Sequence, residues 1–138
     1  MIGGILENII KESGPFNKKL TTFYLAQIIL TLEFLHERKW IYRSLSLGKI
    51  YLKSNGYIAI EGLCKSMTVL KETKKYDLYG NLSSLPPEAI LCQGYDEKID
   101  IWCLGLLGYQ MIYGHHPYAV ENTKSTIFNI LKLEIEQT

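Results

Sequence analysis

The chain has 138 residues, 47% of them hydrophobic, and 15 Lys and Arg against 14 Asp and Glu leave a formal charge of +1. That length supports one domain able to bury roughly two thirds of its extended surface, and the near-neutral charge excludes the global field that draws a protein to nucleic acid or an anionic membrane. Cys64, Cys92 and Cys103 make no metal-type pair in sequence and read as reduced, structural thiols of a cytoplasmic protein.

The opening "MIGGILENII" has no basic leader and carries Glu7 in its apolar run, so it does not read as a signal peptide. After Gly3 and Gly4, "ILENIIKESG" is a short helix stopped by Gly14. "TTFYLAQIILTLEFLHE" follows as a long amphipathic helix with Leu25, Ile28, Ile29, Leu32 and Leu35 on one face. "KIYLK" and "YIAI" flank "SNG", where Asn55 and Gly56 offer the positive φ of a tight turn, which predicts one short hairpin over residues 50–60. Between Gly62 and Leu85 neither period appears, as in one long irregular segment. Pro86, Pro87 and Glu88 open a short helix, and the stretch from Lys98 to Tyr113 is apolar nearly all round, as a central buried helix would be. Its run "IWCLGLLGYQMIYG" is too short to span a membrane. A last helix runs through "TKSTIFNILKLEI". The fold class expected is mainly α with one short β-hairpin.

Several stretches taken together resemble protein kinases. Tyr42, Arg43 and Leu45 match the catalytic loop Y-R-D-L-K-P-E-N, and "GLCK" from Gly62 matches the end of the metal-binding segment. "PPEAIL" resembles A-P-E, "YDEKIDIWCLG" resembles the D-x-W-x-L-G helix, and "YGHHPY" resembles the G-x-x-P-F that closes it. "FYLAQI", "GLCK" and "ENTKSTIFNILK" are most similar to the AGC serine/threonine kinases, and among them to the ribosomal protein S6 kinases. The resemblance implies that residues 1–138 form a kinase-like C-lobe without its final helices. It also implies that the Gly-rich loop, the strand lysine and the helix glutamate of an N-lobe are missing.

The resemblance further implies which chemistry has been lost. Phosphoryl transfer needs a carboxylate that orients and deprotonates the substrate hydroxyl, and Ser44 stands in its place. The loop lysine that neutralises the moving phosphoryl group falls at Ser46, and the metal-binding asparagine falls at Lys49. "YIAIEGLCK" is two residues shorter than the family's equivalent, leaving Glu61 as the only acidic residue near the second metal ligand. The acidic groups that select basic peptides fall at Ile5, Gly48 and Gln110, and Tyr51 replaces a leucine under the adenine. Arg43, Glu88, Asp100, Trp102 and Gly105 remain, all positions of architecture. Asp100 is implied to accept backbone N–H groups of the catalytic loop. Glu88 is implied to lack the arginine that pairs with it from a later helix, leaving it partly solvated beside an apolar patch. The family's activation-loop phosphothreonine lies three residues before the G-T-P-E glycine, and counting back from Gly80 reaches Asp77, a carboxylate that could pair with Arg43.

Other features have simpler readings. His36 reads as a cation at a helix C-terminus, adjacent His115 and His116 cannot both face one metal, residues 71–75 read as a solvated charged face, and Phe23, Tyr24, Phe34, Trp40, Trp102 and Tyr109 read as core. The expectation is a degenerate serine/threonine kinase-like module that acts by binding a protein partner, with no metal and no cofactor. ATP and magnesium would be expected only if the chain were a fragment of an active kinase, and a degenerate fragment without a role is the third possibility. Neither nucleic acid nor a membrane is an expected partner.

Overall fold

A computed structural model describes residues 2–62, 68–69 and 74–133. Cys64, the "GLCK" match beyond Gly62, residues 71–73 of the charged run and the final residues after Leu133 lie outside the described residues.

Strand β1 (Ile2–Ile5) leads directly into helix α1 (Leu6–Ser13), and helix α2 (Lys18–Glu37) follows. Gly14 ends α1 at φ 83° with its N–H on Ile10 O, as a C-terminal glycine does. Asn17 caps α2, its side chain accepting the N–H of Leu20 at 2.9 Å. The buried ridge of α2 is Thr21, Tyr24, Ile28, Leu32 and Leu35, a run of three- and four-residue steps. Ile29 lies outside that ridge and is exposed, as are Phe23, Phe34 and Trp40, which corrects their assignment to the core. Two of them have surface partners instead: Phe23 tilts against Tyr57 at 5.7 Å and Phe34 carries the Arg38 guanidinium 3.7 Å above its ring.

Strand β2 (Trp40–Ile41) pairs antiparallel with β5 (Thr68–Val69), and β3 (Ile50–Lys53) pairs antiparallel with β4 (Ile58–Ile60). The β3–β4 connection is a three-residue loop closed by Lys53 N–H on Tyr57 O at 2.8 Å, and only Gly56 takes positive φ, at 81°. Asn55 instead accepts the N–H of Tyr57 on its side chain at 3.2 Å. The expected hairpin is therefore present, and β1 extends it to a three-stranded sheet in the order β1-β3-β4. Gly3 eases that pairing, because a Cβ there would sit in tight contact, 3.1 Å from Leu52 O.

The segment expected to be irregular holds β5, an isolated bridge between Lys75 and Tyr95, and a 3-10 turn (Leu82–Ser84). Beyond it come α3 (Pro87–Ile90), α4 (Lys98–Tyr113) and α5 (Thr123–Lys132). Helix α4 ends at Gly114, left-handed at φ 81° with its N–H on Gln110 O. Ile99, Cys103, Leu107 and Met111 make its buried side, whereas Ile101, Ile112 and Tyr113 are exposed, so the helix is central without being enclosed. The main core unites α1, α2, α4 and the start of β3 through residues such as Leu6, Ile28, Leu32, Ile50 and Leu107. Among the described residues no helix is long and apolar enough to cross a membrane.

Candidate functional site

The stretch from Tyr42 to Lys49 runs between β2 and β3 beside the first turn of α4, where Ile99 and Asp100 are buried, and one carboxylate fixes its shape. Asp100 is fully buried, with Oδ2 accepting the Tyr42 N–H at 2.9 Å and Oδ1 accepting the Arg43 N–H at 2.8 Å. Charge-assisted bonds of this kind can hold an otherwise costly backbone turn, and Arg43 indeed adopts φ 66°. His36 Nε2 reaches Asp100 Oδ2 at 2.8 Å. His36 does occupy the last turn of α2, but its ring is committed to this buried carboxylate, a tie between α2 and α4 that helix position alone did not reveal. Tyr42 completes the brace by donating its hydroxyl to Glu61 O at 2.6 Å.

On the outer side of this loop Lys49 meets Ser44: the ammonium donates to Ser44 Oγ and lies 6.0 Å from the centre of the Tyr42 ring. Burial pulls Lys49 below its ordinary pKa, and the Glu61 carboxylate opposes that effect. Glu61 itself turns to Tyr51, whose hydroxyl donates to Glu61 Oε2 at 2.5 Å. That hydrogen bond, above all, raises the Tyr51 pKa. Ser44, Ser46 and Lys49 share one cavity of about 200 Å³ with Arg43, Asn81 and Ser84, while Glu61 and Tyr51 line a separate open hollow beside Lys53. The loop thus presents an ammonium and hydroxyls to its cavity, and no carboxylate.

Arg43 also lines this cavity, and its side chain ties the loop to residues 77–79. Its Nη1 donates to Asp77 Oδ2 at 2.6 Å, its guanidinium lies 4.4 Å over the Tyr79 ring, and Tyr95 Oη donates to Asp77 Oδ1 at 3.3 Å. Burial raises the Tyr95 pKa, which keeps that hydroxyl a donor.

The remaining sequence candidates fall elsewhere. Glu88, half-buried, Trp102 and Gly105 line an apolar hollow of about 520 Å³ with Ile101, Leu106 and Tyr118, and among the described residues no cation pairs with Glu88. Trp102 stacks on Tyr118 at 5.8 Å and 3°, and its buried Nε1 finds no hydrogen-bond partner among the described residues. Gly48 and Gln110 line another cavity, of about 350 Å³, and there a carboxylate does stand: a Cβ at Gly48 would lie 2.9 Å from Glu7 Oε2. Reading position by position missed Glu7, because its first-turn place on α1, two residues beyond Ile5, is what carries it across to Gly48. His115 is exposed, and His116 accepts the N–H groups of Tyr118 and Ala119 on Nδ1 at 3.1 and 3.0 Å.

The protein kinase domain family matches residues 1–138. The chain is 34% identical to cAMP-dependent protein kinase type 3 of Saccharomyces cerevisiae over 97% of its own length and 33% of that protein's. It is 33% identical to ribosomal protein S6 kinase beta of Caenorhabditis elegans over 94% of the chain and 24% of the relative. It is 38% identical to serine/threonine-protein kinase SCH9 of Candida albicans over 94% of the chain and 17% of the relative. The chain therefore spans a third or less of the length of these relatives.

Proposed function

The chain belongs to the protein kinase domain family, and on that premise we propose that it is a degenerate, C-lobe-like serine/threonine kinase module that binds and does not transfer phosphate. The observation that carries this reading is the contact between Lys49 and Ser44. In the family these two positions supply the metal-binding asparagine and the catalytic carboxylate. Here a cation and a hydroxyl occupy them and satisfy each other. A serine hydroxyl is far too weak a base to accept the substrate proton near neutral pH. Magnesium takes oxygen ligands, with carboxylates foremost, and an ammonium at the same place repels it. The residues present do not fit the ion: Glu61 is engaged by Tyr51, and among the described residues no group of three His, Cys, Asp or Glu could hold a metal. Tyr51 likewise puts a larger ring where the family's adenine rests on leucine.

The binding role draws support from the apolar hollow along α4, where Ile101 is 53% exposed beside Trp102 and Tyr118. An apolar face of this kind on a helical module fits a protein partner. We place the module in the cytoplasm, in keeping with thiols that form no disulfide among the described residues.

Purified chain incubated with magnesium, ATP and a basic peptide is expected to transfer no phosphate, and magnesium-ATP is expected to leave its melting temperature unchanged. A ligand at 100 times its dissociation constant adds about 2.7 kcal/mol of stability, so a clear upward shift, or phosphate incorporation lost on Ser44→Ala, would overturn the reading.

A further inference from the structure

We propose that the cavity over Lys49 is a metal-independent binding site for a phosphate monoester, with Lys49 as its charge and Ser44, Ser46, Asn81 and Ser84 as its polar wall. The proposal rests on the non-catalytic reading of the same residues and names the ligand that reading leaves open.

Charge is the first argument. Among the described residues Lys49 and Arg43, the latter paired with Asp77, line the cavity and no carboxylate does. The acidic groups nearby are each engaged elsewhere: Asp77 balances Arg43 at 2.6 Å, Asp100 beneath the loop accepts two backbone N–H groups and meets His36, and Glu61 is held by Tyr51. Among the described residues no carboxylate comes within ion-pair distance of Lys49, and Glu61, which acts on it only through space, is itself held by Tyr51, so the ammonium is open to a ligand. A half-buried ammonium whose direct hydrogen bond among the described residues is to a hydroxyl is a costly arrangement that an anion would relieve.

Shape and donors narrow the anion. A volume of about 200 Å³ holds several waters at about 30 Å³ each yet falls below the roughly 300 Å³ at which pockets for larger organic ligands begin. A phosphate group with part of its hydration shell fits, and a whole nucleotide does not. The three terminal oxygens of a phosphate monoester are strong acceptors, and the wall offers matching donors in the Lys49 ammonium, the serine hydroxyls and the Asn81 amide. Lysine serves as a point charge for phosphate without fixed geometry, and Lys49 replaces the metal that a carboxylate-lined site would need. The same chemistry could arrive as free phosphate or as a phosphorylated side chain.

The test titrates the full chain, in EDTA, with inorganic phosphate, with a phosphoserine peptide and with the same peptide unphosphorylated, following backbone amide shifts by NMR. Both phosphate probes are expected to bind and to shift the amides of Ser44 to Lys49, and the unmodified peptide is not. Lys49→Met should weaken binding about tenfold or more, the size expected for loss of a charge-assisted hydrogen bond, whereas Lys18→Met at the exposed start of α2 should change nothing. Ser84→Asp gives a second route to the same loss by repulsion if Lys49→Met does not fold. Tighter binding of the phosphopeptide than of free phosphate identifies a modified protein as the source, and equal affinity identifies free phosphate. Absence of phosphate-dependent shifts, binding equal in parent and Lys49→Met, or binding only with magnesium overturns the site. Phosphate transfer from magnesium-ATP would instead overturn the non-catalytic reading, so the two failures are distinct.

Discussion

Asp77 and Arg43, 34 residues apart in the chain, form a charge-assisted pair with Oδ2 2.6 Å from Nη1. The two ends differ in environment: the arginine side chain is 9% exposed and the aspartate 57%. Arg43 is held from behind by its own backbone bond to Asp100 and from the side by the Tyr79 ring, so the pair fastens a surface segment to a fixed point of the fold. A single carboxylate holds this arginine here without modification, with one charge where a phosphorylated residue would bring nearly two.

Replacing Asp77 by Asn should therefore loosen residues 74–84 and leave the global fold intact. An ion pair with one exposed partner contributes about 0.2 to 1 kcal/mol and is screened by salt. Limited proteolysis at low salt should cut this segment faster in Asp77→Asn than in the parent, and the difference should shrink at high salt. Equal cleavage at low salt would deny the tether.

Asp100 stands at the other extreme of burial. Asp100→Ala would leave the Tyr42 and Arg43 N–H groups and the His36 ring without their acceptor at a fully buried place. Breaking such a buried charged arrangement costs about 3 to 5 kcal/mol, a large share of the stability of a small domain. Chemical denaturation should show a midpoint far below that of the parent, or no folded state. A loss under about 1 kcal/mol would mean that the loop does not depend on this carboxylate.

What could be read in advance follows the range of the interactions involved. Helices α1, α2 and α4 are written in local spacing and in Gly14 and Gly114, and counting from Gly80 reaches the aspartate that stands against Arg43. Strand β1 was hidden because its pairing with β3 joins residues about 50 apart, and "IGGI" has too few side chains to show a period of two. Phe23 and Phe34 were misjudged because hydrophobicity does not say which face of α2 meets α4: the Tyr24, Ile28, Leu32 ridge won, and its neighbours were turned outward. The His36–Asp100 and Glu7–Gly48 approaches depend on the packing of distant elements, and no local pattern encodes them.

The thiols should differ sharply in reactivity. Burial, aided by Asp100, pushes the Cys103 pKa up to about 12, while Cys92 is exposed. Only a thiolate is alkylated readily. Iodoacetamide at mildly alkaline pH, followed by peptide mass mapping, should label Cys92 in the folded chain and Cys103 only after denaturant is added. Labelling of both at similar rates in the folded chain would show that the α4 core opens far more readily than its packing implies.

His116 sets a pH dependence. Burial, assisted by neighbouring His115, lowers its pKa against the opposing Ser83 backbone contact, and its Nδ1 must stay unprotonated to accept the Tyr118 and Ala119 N–H groups. The folded value lies below the unfolded one, about 6.5. Between the two values the unfolded chain binds more protons, so stability falls as pH falls. The contribution is fully present above about pH 6.5 and is lost as pH drops through the folded value, with a slope of at most about 1.4 kcal/mol per pH unit from this group. His116→Asn keeps a side-chain oxygen near the Nδ1 position and removes the titration. Urea midpoints measured at about pH 7 and pH 5 should move less in His116→Asn than in the parent, with His36 common to both chains. An identical acid-side loss in the two proteins would assign the pH dependence to other groups and leave His116 as a packing residue alone.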